Sequence, residues 1–562
     1  MKRFPHSIPA LEDWPIAQFY SDRPRIVKKL ARETIEHLKD DPQLATLLNQ
    51  TVYAEKLRSK TNPLKVDPPK EYAYWKKIES ELGESIRDDV SSHKIHVDLL
   101  TRIVNRYAEE IAGDFRPKTF KFARKALFLF FKALYNPFKK KGQGFFWGNE
   151  AQLLDKFKVD GPLDHIRSLF DKGTVMVLPT HFSNLDSILI GYAIDMMTGM
   201  PAFSYGAGLN LYDYEIVAYY ISRLGAYKID RRKRNPIYRR TLDQFATVGI
   251  QEGLNSIFFP GGTRSRDGSL EQNLKWGLMN TLIDSQNEFY LRNFDRKIII
   301  VPLVLSYHFV LEGQGLIDQH LSKTGKENYL NKLKRKSASM KRLRFVKRLL
   351  KSDSHVTLSF GHPIDIFGNK LDQEGRSIKD GKPIEIRDYF RADGVMTKDV
   401  QRNRVYSRYL ANAIVKSYKT ENVVLTSHVA TFTAFQMFEK QYPNLDLYAL
   451  LALPEDYFNL KVEGVLGQID VVVDRLKELA EAEEVKLSDE VATYTTETLL
   501  KDAIKHLNSY HFYAPLKRSK DMLVCEDLKL LYYYHNRLFG YKLDRIISAD
   551  TTQSIVLRRS LY

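Results

Sequence analysis

Apolar positions change their rhythm twice along the chain. Up to about residue 150 they recur at helical spacing inside charged stretches such as Arg25 to Leu48 and Leu99 to Ile111, so this part reads as mostly helical. Pro63, Pro68 and Pro69 interrupt it. From about residue 151, short continuous apolar runs alternate with helix-length segments. Thr174–Pro179, Ser256–Pro260, Ile298–Leu305 and His355–Phe360 each predict a buried strand. After about residue 371 a loop rich in Asp, Gly and Lys leads into mainly helical sequence, including Ile469–Ala482 and Asp527–Phe539. The expected organisation is a helical N-terminal region (1–150), an α/β domain with a mixed sheet flanked by helices (151–370) and a mainly helical C-terminal region (371–562).

Composition adds constraints. The hydrophobic share of 43% over 562 residues is ample for a sizeable core. Cys525 is the single cysteine, so no disulfide is expected within the chain. The basic start, Met1 to Ser7, is not followed by an apolar run and predicts no signal peptide. No stretch approaches the ~18 uncharged apolar residues that span a bilayer. The expectation is a cytoplasmic protein held peripherally at a membrane.

The net charge of +17 calls for an anionic partner, and the charge is unevenly placed. Arg116–Lys141 holds nine Lys/Arg and no acid, interleaved with Phe120, Phe122, Phe128, Phe131 and other apolar residues. Lys332–Lys351 holds ten Lys/Arg and no acid. Such segments suit an anionic membrane interface, apolar side down. They equally suit helices whose apolar faces pack on the core while the lysines are solvated. Nucleic acid is not expected as a partner, because zinc-finger spacing, RNA-binding aromatic signatures and basic zippers are all missing.

The chemistry collects at the end of the first predicted strand, in Thr180-His181-Phe182-Ser183-Asn184-Leu185-Asp186. Strand ends are where open α/β sheets place ligand sites. Five residues on one helix turn through about 140°, so His181 and Asp186 would not share a helical face. They meet if His181 lies on the strand-to-helix turn and Asp186 in the first helical turn, with Ser183 or Asn184 as the cap. The carboxylate would then fix the imidazole tautomer and leave the other nitrogen as a base. Spacing alone proves little, because His93 and Asp98 repeat it within a helical stretch. Three further segments follow in order: Tyr227 to Arg234 with Arg231 and Arg232; Pro260-Gly261-Gly262-Thr263-Arg264-Ser265-Arg266-Asp267-Gly268; and the strand bearing Val301-Pro302. Glycines let the backbone approach an anion, and arginines fork onto phosphate oxygens. A solvated turn is the other fate of such charge runs. The glycine loop lacks the Gly-Lys-Ser/Thr ending of a nucleotide P-loop. No Gly-x-Ser-x-Gly elbow and no cluster with metal-ligand spacing is present.

This ordered set resembles the glycerolipid acyltransferase superfamily, whose blocks are His-x-x-x-x-Asp, an arginine-bearing second motif, Gly-Thr-Arg-Ser and Val-Pro. Ser306-Tyr307, Glu312, Gly325-Lys326-Glu327, Phe360–Ile364, Ser427–Ala430 and Leu531–Leu538 are similar to its glycerol-3-phosphate and dihydroxyacetone-phosphate branch. The resemblance implies a central acyltransferase domain. It implies transfer of a fatty acyl group from acyl-CoA or acyl carrier protein to glycerol 3-phosphate, with His181 and Asp186 catalytic. Arg231, Arg232, Gly262, Thr263, Arg264, Ser265, Arg266, Val301 and Pro302 would bind substrate, without metal or cofactor. Gly261-Gly262 amides are a candidate oxyanion site. Two departures stand out: Gly261 occupies the place of a usual glutamate, and Phe182 that of a frequent arginine. The 1-acyl ester of glycerol 3-phosphate and dihydroxyacetone phosphate are alternative acceptors. A non-catalytic scaffold for anionic membranes or nucleic acid is the reading from another class.

Overall fold

The computed structural model describes residues 4–84, 92–135, 157–209, 218–219, 221–324, 355–509 and 511–548. At its centre is a seven-stranded sheet: β1 (Phe157–Asp160), β2 (Gly173–Pro179), β3 (Ser204–Gly208), β4 (Ala226–Ile229), β5 (Ser256–Ile257), β6 (Lys297–Tyr307) and β7 (Val356–Phe360). The order is β1-β7-β6-β2-β5-β3-β4. β7 runs antiparallel to β6 and every other pair is parallel, so the sheet is mixed.

The unbroken apolar runs of β2 and β6 follow from cover on both faces. Met176 and Leu178 of β2, with Ile298, Ile300 and Val304 of β6, enter one core. Val175 and Val177, with Ile299, Val301, Leu303 and Leu305, enter the other. The first core is shared with the C-terminal region, where the helix Thr426–Gln441 packs against Val462–Glu481, Thr496–Asn508 and Leu528–His535. The N-terminal helices build a third core around Trp14, Trp75 and Tyr107. It also takes in Ile237, Tyr238, Phe245 and Val248 of the helix Pro236–Gln251.

The helical reading of Arg25 to Leu48 is met by two helices, Arg23–Leu38 and Leu44–Thr61. Between them Pro42 has no amide to donate, and the Asp41 carboxylate captures the Gln43 N–H at 2.8 Å, which turns the chain. The run Ser256–Pro260 pairs only at Ser256–Ile257. Phe258 still donates to the Val177 carbonyl, and a Gly262-to-Phe259 hydrogen bond then closes a turn. β1, β3 and β4 are short, and their sequences are too polar or glycine-rich to read as buried strands.

The first basic segment enters the helix Pro117–Tyr135. Its Phe120 ring meets Trp14 and Phe115, with centroids 5.5 and 5.4 Å away, whereas Phe122 is 57% exposed. The side chains of Phe128 and Phe131, Gly325-Lys326-Glu327 and the segment Lys332–Lys351 lie outside the described residues. Among the described residues no helix is long and apolar enough to cross a membrane.

Candidate active site

β2 ends at Pro179, and the helix Asp186–Ala193 begins seven residues on. The intervening turn brings the two sequence-selected residues together: His181 Nδ1 lies 2.8 Å from Asp186 Oδ2. Asp186 is fully buried, and its carboxylate is well supplied with donors. Oδ2 also accepts the Phe182 and Ser183 amides at 2.6 and 2.9 Å, and Oδ1 accepts the Tyr307 hydroxyl at 2.6 Å. A carboxylate so bonded is an acceptor only, so His181 Nδ1 carries the proton and Nε2 keeps a lone pair. Among the described residues Nε2 has no hydrogen-bond partner. The imidazole rests on Phe259, with centroids 4.2 Å apart, and its side chain is 16% exposed. The helix cap is neither Ser183 nor Asn184 but Leu185, because the Ser183 hydroxyl accepts the Leu185 amide and donates to Glu312.

The peptide of His181 is held at both ends. Its N–H donates to Glu271 Oε1 at 2.7 Å and its carbonyl accepts the Ser265 amide at 2.7 Å. The second contact joins the histidine turn directly to the glycine-arginine loop. Ser265 further binds Asp267 and the Ser269 carbonyl, so its hydroxyl shapes the loop. The C-terminal region clamps the same loop: Asn536 donates to the Asp267 carbonyl at 2.9 Å. A Cβ on Gly268 (φ +86°) would meet the Tyr533 carbonyl oxygen at 1.9 Å, so only glycine fits there.

The arginines separate into two groups. Arg264 lies 3.4 Å from Glu312, which also takes the Asn184 amide at 3.0 Å and so ties the loop to the histidine turn. Arg231 donates to the Gly262 carbonyl at 3.2 Å. Arg266 has no partner among the described residues, and Thr263 is exposed. Arg232 is different. Its guanidinium binds Asp230 at 2.7 Å, Asp67 at 2.6 Å and the Asn62 carbonyl at 2.8 Å. All those donors are engaged within the protein, so Arg232 ties the second motif to the N-terminal helices. Val301 and Pro302 pair with Val177 and Leu178 inside the sheet, where they build the platform beneath the site. The Gly262 amide is engaged with Phe259, which removes it as an oxyanion donor.

Residues remote in sequence complete the support. His428 donates from Nε2 to the Tyr307 carbonyl at 3.0 Å, and burial pushes its pKa down to about 3, so it stays neutral. Arg537 donates to the Leu305 carbonyl and the Ser306 hydroxyl, and its guanidinium lies 4.4 Å above the Phe182 ring. Burial lowers its pKa to about 10. The Glu271 carboxyl, desolvated beside His181, is pushed up to about 8. Glu271 was not singled out from sequence, and no spacing signal marks it. Tyr307, Glu312, His428 and Arg537 were visible only through the family resemblance. His93 and Asp98, the competing pair, are both exposed on the helix Ser92–Ile111. Among the described residues no group of three or more His, Cys, Asp or Glu is arranged to hold a metal ion.

Residues 157–306 match the acyltransferase family model, and these residues run from β1 to near the end of β6. By that match they form an acyltransferase domain, and over about half its length the chain is similar to curated glycerol-3-phosphate acyltransferases. Its relatives include the glycerol-3-phosphate acyltransferase of Pseudomonas aeruginosa (strain UCBPP-PA14), 24% identical over 50% of this chain and 30% of that protein. Proteins of the same name from Pseudomonas fluorescens (strain Pf-5) and Ectopseudomonas mendocina are 26% and 24% identical, each over 52% of this chain. The match thus spans only about 30% of the length of those curated relatives.

Proposed function

We propose that the protein transfers a fatty acyl group from a thioester, acyl-CoA or acyl carrier protein, to the hydroxyl of glycerol 3-phosphate. The observation that carries this reading is the buried, four-donor Asp186 carboxylate holding His181 with Nε2 open, beside a loop that offers Arg264 and Arg266. His181 Nε2 takes the proton of the acceptor hydroxyl as its oxygen attacks the thioester carbonyl. Asp186 stabilises the imidazolium, and the collapsing tetrahedral adduct expels the thiolate, which His181 protonates. Arg231, Arg264 and Arg266 hold the acceptor phosphate and so fix its hydroxyl near Nε2, which is a proximity effect. Dihydroxyacetone phosphate or the 1-acyl ester of glycerol 3-phosphate would offer the same phosphate to these arginines.

The test separates the two substrates. Arg264→Ala and Arg266→Ala are expected to raise KM for the phosphorylated acceptor about tenfold or more, with KM for the thioester nearly unchanged. A charge-assisted contact is lost to one substrate only. Equal effects on both substrates, in steady-state kinetics with each varied in turn, would make the loop structural and remove the phosphate assignment.

We place the protein at an anionic membrane surface through the basic helix Pro117–Tyr135, supported by the exposure of Phe122. Phe122→Ser is expected to weaken co-sedimentation with anionic vesicles without altering the melting temperature. Phe120→Ser should do the reverse, since Phe120 packs on Trp14 and Phe115. Unchanged vesicle binding by Phe122→Ser would count against this face.

A further inference from the structure

The carboxyl beside the base arrives from an unexpected position. Gly261 has no positive φ, unlike Gly262 at +71°, so its backbone would accept any L side chain. What stands against a side chain there is Glu271. A Cβ built on Gly261 would lie 3.0 Å from Glu271 Cγ, 3.4 Å from Oε1 and 3.6 Å from Cδ. The two positions therefore compete for one space, and Glu271 fills it. From that space Oε1 accepts the His181 N–H, while Oε2 is buried with no hydrogen-bond partner.

A buried carboxyl with an unmatched oxygen is costly unless the bond it does make is needed. That bond fixes the peptide of the catalytic histidine from the side opposite to Ser265. A misplacement of about 1 Å at such a residue can cost a hundredfold in rate. Building on the acyl-transfer reading above, we infer that Glu271 is a positioning residue for His181, and that Gly261 is glycine in order to admit its carboxyl. The site thus keeps a carboxyl at this place although the loop motif itself lacks one. Since burial holds this group largely protonated near neutral pH, a carboxamide should reproduce both its shape and its acceptor oxygen.

The experiment is a cycle of variants on the full chain. Glu271→Ala is expected to lower kcat about 10- to 100-fold with KM for both substrates little changed. Glu271→Gln should retain most of the activity. Gly261→Glu alone should lower the melting temperature and activity, because two side chains then contend for one space. In the Glu271→Ala background the same Gly261→Glu change should be tolerated and should recover activity, the carboxyl now coming from position 261. The inference is overturned if Glu271→Ala turns over like the parent, if Glu271→Gln is as slow as Glu271→Ala, or if Gly261→Glu is equally harmful in both backgrounds. Should the parent show no His181-dependent turnover, acyl transfer itself fails. The melting-temperature cycle then still decides whether positions 261 and 271 share one space, and equal destabilisation in both backgrounds would overturn it.

Discussion

Replacing His181 by alanine is expected to lower turnover by about a hundred- to ten-thousand-fold, the usual contribution of a general base, with the fold retained. Retention follows from exposure: the imidazole is partly open to solvent, and its loss leaves the Asp186 carboxylate still bonded to two amides and Tyr307. Asp186→Asn should be comparably damaging. An amide in that place presents an NH2 group to donors, so His181 loses the acceptor that fixes its tautomer. His93→Ala is the internal control, because His93 and Asp98 have the same spacing but lie exposed on a helix. Steady-state rates of the three variants, with circular dichroism to confirm folding, decide the matter. Equal losses at His181 and His93 would remove His181 as the base.

The second large effect is on stability. Arg232→Ala is expected to destabilise the protein by about 3–5 kcal/mol, because it leaves Asp230, 2% exposed, as a buried carboxylate without its cation. Asp67 keeps Arg58 at 3.1 Å and is less affected. Arg231→Ala next to it should change stability by no more than about 0.5 kcal/mol, since Arg231 is exposed and makes a single bond to the Gly262 carbonyl. Its deficit should appear instead in KM for the acceptor. Chemical denaturation of the two variants side by side checks this, and equal midpoints would show that the Asp230 pair carries no such weight.

These two cases also mark what could be read from the chain. β2 and β6 were legible because cover on both faces makes a strand continuously apolar. The strand end also located the turn on which His181 and Asp186 meet. β3 escaped notice because Ser204-Tyr-Gly-Ala-Gly holds no apolar run, and the sheet rather than propensity makes it a strand. Within the run Asp230-Arg231-Arg232-Lys233, sequence could not say which guanidinium is free. That depends on Asp67, which only the packed N-terminal helices bring near. Glu271 was invisible for a like reason: the loop after Gly261 carries it back over that glycine, and neither periodicity nor spacing encodes that return. Gly261 in place of the usual motif glutamate is legible in the sequence, whereas the nearness of Glu271 to it is not.

The most direct measurement of the central claim is product formation by the purified chain. An acyl thioester is incubated with glycerol 3-phosphate, its 1-acyl ester, dihydroxyacetone phosphate or glycerol, and the acylated products are resolved by mass spectrometry. The account predicts acylated glycerol 3-phosphate, no product from unphosphorylated glycerol, and loss of the product in His181→Ala. Thioester left unconsumed with every phosphorylated acceptor, by a folded protein that still binds anionic vesicles, would contradict it and leave a membrane-bound scaffold in its place.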